Sequence, residues 1–442
     1  VLSNMKMDIK LLKKDWILLS IISLISLTQF IYFVDQNSVE NYYDEKRYYD
    51  IGINILNSGL FNIADDLRTY LYPFLISLFY IFTDGQAASV KILFSVFQFI
   101  IYLITVLMIA RTAYDFQKRK TVFFTILVFG LLNPYLIQST TLLLTDLLAS
   151  CFLIISLMYL LKSDLNKLSN GAIVASLLYA AVLIRPSSAI FMILFFLIAL
   201  YRVAIIKNFK PIRFIIIGLL LLILFFPQLY MNITKFNHFT PLIHINLLEQ
   251  QSVWATQLLK YGTVVIDGEN PGLRYVTPWI MNNNISMFQL MSSDFFVFVG
   301  VLVVHIFGLF DWGYVDTYIN DLAVSTRLLP SILLYIQWFL IGMGVLYLKL
   351  RKQHTFMTVS LVIASVGYAL FIATTAIESR FGYPIYLIML FFSGFGVQYI
   401  YEYIYNKKAL FYIFSSLLFV ICISLYFSYF IDMQTERIIW FK

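Results

Sequence analysis

The stretch WILLSIISLISLTQFIYFV, Trp16 to Val34, decides the fold. It carries no charge, proline or glycine over roughly the twenty residues an α-helix needs to cross a bilayer. Its apolar residues run continuously instead of alternating, which argues against a membrane β-barrel. The rest of the chain repeats the pattern. Of 442 residues, 61% are hydrophobic and only 12% charged, and the mean hydropathy is +0.83. A water-soluble domain carries about 25% charged residues, so lipid must cover much of this surface. The fold class read from these features is all-α and polytopic.

Charge orients the spans. Lys6, Lys10, Lys13 and Lys14 place the N-terminus inside, so the segment Asp35 to Tyr70 falls outside. The run that follows this charged tail has no small-residue cleavage site, and it is expected to act as the insertion signal. Tyr72 to Phe82 is too short to span and reads as a juxtamembrane helix before the span Val90 to Ala110. Arg111, Lys118, Arg119 and Lys120 mark an inner loop. The run Val122 to Leu161 is too long for one span; Asn133-Pro134 and the polar patch Gln138 to Thr141 divide it into a hairpin. A second hairpin, Gly171 to Tyr201, turns outside at Arg185-Pro186, and Phe214 to Tyr230 crosses after Arg202, Lys207, Lys210 and Arg213.

Met231 to Asp294 is the longest polar region and is expected to fold outside as a cap. Phe295 to Phe310 conflicts with the positive-inside bias if it spans, because Lys349, Arg351 and Lys352 would then lie outside. It reads as re-entrant or interfacial. Leu328 to Leu348, Phe356 to Ala376, Tyr383 to Tyr403 and Leu410 to Phe430 bring the count to about eleven spans. The expected organisation is a transmembrane module over 1–230 with a first outer loop at 35–70, a cap at 231–294, and C-terminal helices over 295–442. The +7 net charge follows from the basic inner loops, without any nucleic-acid partner. Cys151 and Cys422 both lie in apolar runs and imply no disulfide framework.

Against this background, Asp44-Glu45 is the sharpest chemical signal. It sits in Tyr42-Tyr43-Asp44-Glu45-Lys46-Arg47-Tyr48, just outside the first span and ahead of a helical pattern ending at Asn57-Ser58-Gly59. Asp44 is the kind of residue that caps a helix, and an ionised carboxylate there also suits a general base. Asp65-Asp66 resembles a metal pair but lacks a third ligand by spacing, so a solvated turn is the plainer reading. Arg68, Arg185 and Arg380 each stand at an outer edge, where arginine either snorkels to headgroups or binds phosphate. Glu378-Ser379-Arg380 also reads as a local ion pair. Asp146, at the lip of a span, points to a cavity. His238, His244, His305 and His354 share no ligand spacing, so no zinc site is expected.

Taken in order, Asp44-Glu45 to Gly59, Arg68-Thr69-Tyr70-Leu71-Tyr72-Pro73, Asn133-Pro134, Thr145-Asp146, Arg185-Pro186 and Glu378-Ser379-Arg380-Phe381 resemble the membrane-embedded glycosyltransferases of the GT-C fold. The branch they resemble is related to protein O-mannosyltransferases and lipid A aminoarabinose transferases. The resemblance implies transfer of a sugar from a polyprenyl-phosphate donor to a glycan, lipid or protein acceptor, with inversion. It places the catalytic acid at Asp44, an assisting role at Glu45, and lipid-phosphate or substrate contacts at Arg68, Asp146, Arg185 and Arg380. It implies no metal or other cofactor, although a divalent ion is compatible with it. The expected site is the outer face of a bacterial inner membrane. A polysaccharide polymerase, or a lipid-linked sugar flippase or transporter, remains the alternative reading.

Overall fold

The computed structural model describes residues 12–37, 41, 43–63, 65–83, 85–205, 211–243, 246–263, 271–278, 284–311, 324–353 and 355–439. Tyr42, Lys6, Lys10, Lys207, Lys210, His244 and His354 lie outside these residues. The described residues are mostly helical, with one small sheet. The first half comprises α1 (Lys13–Asn37), α2 (Tyr43–Ser58), α3 (Leu71–Ile81), α4 (Ala87–Gln117), α5 (Lys120–Leu131), α6 (Pro134–Ser139), α7 (Thr145–Lys162), α8 (Leu168–Ile184) and α9 (Ile190–Ile205). It continues through α10 (Pro211–Leu221), α11 (Phe226–Phe236) and α12 (Asn246–Gln257) into β1 (Leu258–Thr263) and β2 (Pro271–Val276). Then come α13 (Met287–Ser293), α14 (Phe295–Phe310), α15 (Val324–Leu350), α16 (Phe356–Ile372), α17 (Tyr383–Tyr403), α18 (Lys407–Asp432) and β3 (Thr435–Ile439).

Among the described residues, eight helices are long and apolar enough to cross a membrane. Three of the five shorter apolar helices, α5, α8 and α16, fall on the remaining expected spans. Local chemistry sets several boundaries. Asn133 caps α6 by accepting from the backbone N–H groups of Tyr135 and Leu136, with Pro134 at the first helical position, where a missing N–H has no consequence. Thr355 and Ser286 begin α16 and α13 with capping boxes.

The bundle has two chemically distinct ends. Asp15, Asp115, Lys118, Lys120, Lys162, Arg351 and Glu402 form ion pairs at one end, which ties the N-terminal helix to the basic loops. At the other end, Asn37 at the close of α1 bonds Thr141 at 2.8 Å, beside the α6–α7 turn. The cap belongs to this second end. In it β1, β2 and β3 form an antiparallel sheet, so the C-terminal strand returns to the loop between α11 and α14. The second half of α14 packs on β1 and on the Ser379–Gly382 turn, where His305 lies between the carbonyls of Ala373 and Leu258.

α7 and α17 are the most enclosed helices, and α15 lies directly on α17. That approach depends on two glycines. A Cβ on Gly344 would collide with the backbone of Phe392, and one on Gly396 with the backbone of Leu340. Overpacking of this kind costs about 1–3 kcal/mol or more. Gly396→Leu is therefore expected to lower the thermal unfolding midpoint of the detergent-solubilised protein. An exposed control such as Leu418→Ala should leave it unchanged.

Candidate active site

α2 starts at Tyr43, so Asp44 lies inside the first turn of the helix and not ahead of it. The capping expectation is therefore corrected: the Asp44 side chain faces two arginines. Arg68 Nη2 bonds Asp44 Oδ1, and Arg380 Nη2 approaches Oδ2 at 3.7 Å. Arg68 is held from behind by Asp65, 3.3 Å away, and by the ring of Tyr48, 5.2 Å from its centroid. Asp65 also accepts from Arg47 Nε and from the Leu67 backbone N–H, both at 2.9 Å. The solvated-turn reading of Asp65 is thus also corrected, because its carboxylate is buried. Arg68 Nε is buried with no hydrogen-bond acceptor among the described residues.

Asp146 occupies the first turn of α7, where the positive end of the helix favours a carboxylate. It binds Arg185 Nη1 and accepts from Arg380 Nη1 at 3.4 Å. Arg185 ends α8; its Nε donates to Ser187 Oγ at 3.0 Å, and its guanidinium lies 4.4 Å from the Phe381 ring centroid. Arg380 completes the arrangement with a bidentate pair to Glu378 at 2.8 and 3.1 Å. The result is a continuous series, Arg68–Asp44–Arg380–Asp146–Arg185, assembled from segments far apart in sequence. With Arg47, Asp65 and Glu378 included, four guanidiniums are matched by four carboxylates.

The electrostatic balance is uneven. Burial by itself would raise the Asp44 carboxyl, but Arg380, Arg68 and Arg185 outweigh it and hold the group below the usual carboxylate range. Burial opposes the charge on Arg68 too, and Asp44 and Tyr48 overcome it, so Arg68 is raised. Tyr48 is pushed up to about 12, first by burial and then by the Asp44 charge, and so remains neutral. Asp44 is the most accessible acid of the series, with 36% of its side chain exposed against 3% for Asp146 and 5% for Asp65.

Glu45 is placed differently from the other five candidates. It is fully enclosed, pairs with Lys91 at 3.1 Å and accepts the Leu143 backbone N–H at 2.8 Å. It pins α2 to the start of α4 and to the α6–α7 turn. Sequence reading passed over Lys91, although a lysine inside an otherwise apolar span signals a buried acid partner. Tyr72 O–H donates to the Leu144 carbonyl at 2.9 Å and Thr69 donates to the Leu183 carbonyl, which fastens the same loop further. Among the described residues, no group of three or more His, Cys, Asp or Glu side chains is arranged to hold a metal ion. Removing one member of a buried ion pair costs about 3–5 kcal/mol. Lys91→Met should therefore destabilise the protein strongly in a thermal melt, and adding Glu45→Gln should recover much of the loss.

No family model matches the chain, and no curated protein matches it in sequence. The structure is similar to that of an oligosaccharyltransferase from Archaeoglobus fulgidus in its apo form, with a TM-score of 0.51 and 13% identity over 96% of this chain and 56% of that one. It is also similar to the archaeal oligosaccharyltransferase AglB from Archaeoglobus fulgidus in complex with an inhibitory peptide and a dolichol-phosphate, with a TM-score of 0.51 and 11% identity over 95% of this chain and 55% of that one. The chain spans a little over half the length of each. At this identity the likeness is one of fold, and the fold is that of a GT-C-like, polytopic helical membrane protein.

Proposed function

We propose that the chain is a membrane glycosyltransferase of the branch related to protein O-mannosyltransferases and lipid A aminoarabinose transferases. Its donor is a sugar on a polyprenyl monophosphate, and it acts on the outer face of a bacterial inner membrane. The observation that carries this reading is the Arg68–Asp44–Arg380–Asp146–Arg185 series at the end of the bundle opposite the basic loops. Three guanidiniums around one accessible carboxylate suit a leaving phosphate next to an attacking hydroxyl. The archaeal neighbour solved with a dolichol-phosphate supports a lipid-linked donor on this fold. A flippase would call for paired charges at mid-bilayer, whereas the ion pairs described here gather at the two ends of the bundle.

Asp44 held below the usual carboxylate range is a weak base, because general-base catalysis favours a pKa near the working pH. Donor binding removes the difficulty. The lipid phosphate takes over hydrogen bonds from Arg68 and Arg380 and also accepts from the Arg68 Nε–H, which has no acceptor among the described residues. As those cations turn to the phosphate, Asp44 loses the charges that stabilise its ionised form, and its basicity rises. The acceptor hydroxyl then gives its proton to Asp44 as its oxygen bonds the anomeric carbon. The bond from that carbon to the phosphate oxygen breaks, its electron pair leaves on the phosphate, and Arg68, Arg185 and Arg380 stabilise the growing charge. Direct displacement inverts the anomeric centre. In this scheme Glu45 is a positioning residue and Asp146 holds two of the three arginines.

Asp44→Asn is expected to reduce transfer from polyprenyl-phosphate sugars by about 10²–10⁴-fold in protein that still unfolds cooperatively in a thermal melt; wild-type rates in this variant would refute the proposed base. A carboxylate held below its usual pKa stays ionised as pH falls through that range. The wild-type kcat/KM should therefore persist as pH falls through the ordinary carboxylate range and drop only below it, a limb that Asp44→Asn should lack.

A further inference from the structure

A cavity of about 260 Å³ lies beside the arginine series, on the cap side. Gln251, Trp254 and Gln257 line it from one face of α12, Tyr261 and Arg274 from paired positions of β1 and β2, and Phe381 from the turn before α17. Glu378 closes the wall that faces the arginines. The cavity and the ion-pair series therefore share two residues: Glu378, which grips Arg380, and Phe381, whose ring lies under Arg185 and 5.5 Å from Arg380. Arg380 links the cavity wall to Asp44, pairing with Glu378 at 2.8 Å and approaching Asp44 at 3.7 Å.

The walls are tied together by backbone bonds. Ala376 N–H donates to the Gln251 carbonyl at 3.1 Å, and Tyr261 N–H donates to the Ile377 carbonyl at 2.8 Å. Trp254 remains 43% exposed at the rim, a large aromatic face offered to solvent. Amide side chains donate and accept together, which matches the hydroxyls of a sugar, and the aromatic faces suit the apolar C–H face of its ring. Other acceptors fit less well. Tyr261 N–H is already bonded to Ile377, so an extended peptide cannot add to β1 at that position. An acyl chain would desolvate Arg274 and Gln251 without satisfying them, whereas Gln257 Nε2 already donates to Asn284 Oδ1 at 2.9 Å.

We propose that this cavity binds the acceptor, and that the acceptor is a carbohydrate whose terminal ring stacks on Trp254 and hydrogen-bonds Gln251 and Gln257. The proposal rests on the glycosyl-transfer reading for the word acceptor, but the binding itself does not need a donor.

The test uses the full chain in lipid nanodiscs without donor, with saturation-transfer NMR of a panel of gluco-, galacto-, manno- and N-acetylglucosamine disaccharides and a serine- and threonine-rich peptide. At least one disaccharide should bind, and Trp254→Ala should weaken it tenfold or more while Trp254→Phe restores most of the affinity. A panel in which no disaccharide binds, binding of the peptide alone, or disaccharide binding unaltered in Trp254→Ala would overturn the proposal. Because no transfer is measured, failure of the catalytic scheme leaves this assay informative. Full transfer activity in Trp254→Ala would overturn the cavity's role and leave the catalytic scheme standing.

Discussion

Arg380 reaches three carboxylates with one guanidinium: Glu378 through a bidentate pair, Asp146 at 3.4 Å and Asp44 at 3.7 Å. Each carboxylate comes from a different part of the fold, respectively the turn before α17, the first turn of α7 and the first turn of α2. A planar, always-charged fork suits this task, and a lysine could not reproduce its geometry. The site exists because α7 and α17, the two most enclosed helices, bring their N-terminal ends together around this side chain. Precision there is inherited from packing much deeper in the bundle, including the glycine contact between α15 and α17.

The same arrangement explains why the segment between α1 and α4 must be fastened so firmly. Asp44 and Arg68 sit on a segment that does not span the bilayer, and their alignment with Arg380 depends on where that segment docks. The buried Glu45–Lys91 pair and the Leu143 N–H bond supply the anchor one residue from Asp44. Adjacent acids thus divide the work. One is enclosed and neutralised by a lysine; the other is left partly open among arginines. That contrast comes from the helix, which turns successive side chains about 100° apart, so Glu45 faces the bundle while Asp44 faces the site.

Much of the fold was legible because lipid burial writes itself in long apolar runs, and the breaks at Asn133-Pro134 and Arg185-Pro186 lie where helices end. Five of the six candidate residues meet in one cluster, and each had stood out as a charge at the outer edge of an apolar segment. Pairing was not legible. Nothing local links Arg380 to Asp146, which lie 234 positions apart. Asp65 was read as solvated because its partners, Arg47 and Arg68, depend on the loop folding back. The sheet escaped for a similar reason: β3 comes from the C-terminal tail and pairs with a strand more than 150 residues earlier.

The central claim is that arginines now held by carboxylates exchange those partners for a lipid phosphate. The most direct measurement is the affinity of polyprenyl monophosphate, without any sugar, for the wild-type protein and for Arg380→Gln in nanodiscs. The account predicts that wild type binds the lipid phosphate and that Arg380→Gln binds it at least about tenfold more weakly, the loss of roughly one charge-assisted bond. Equal affinity in the two proteins, with both folded, would contradict it.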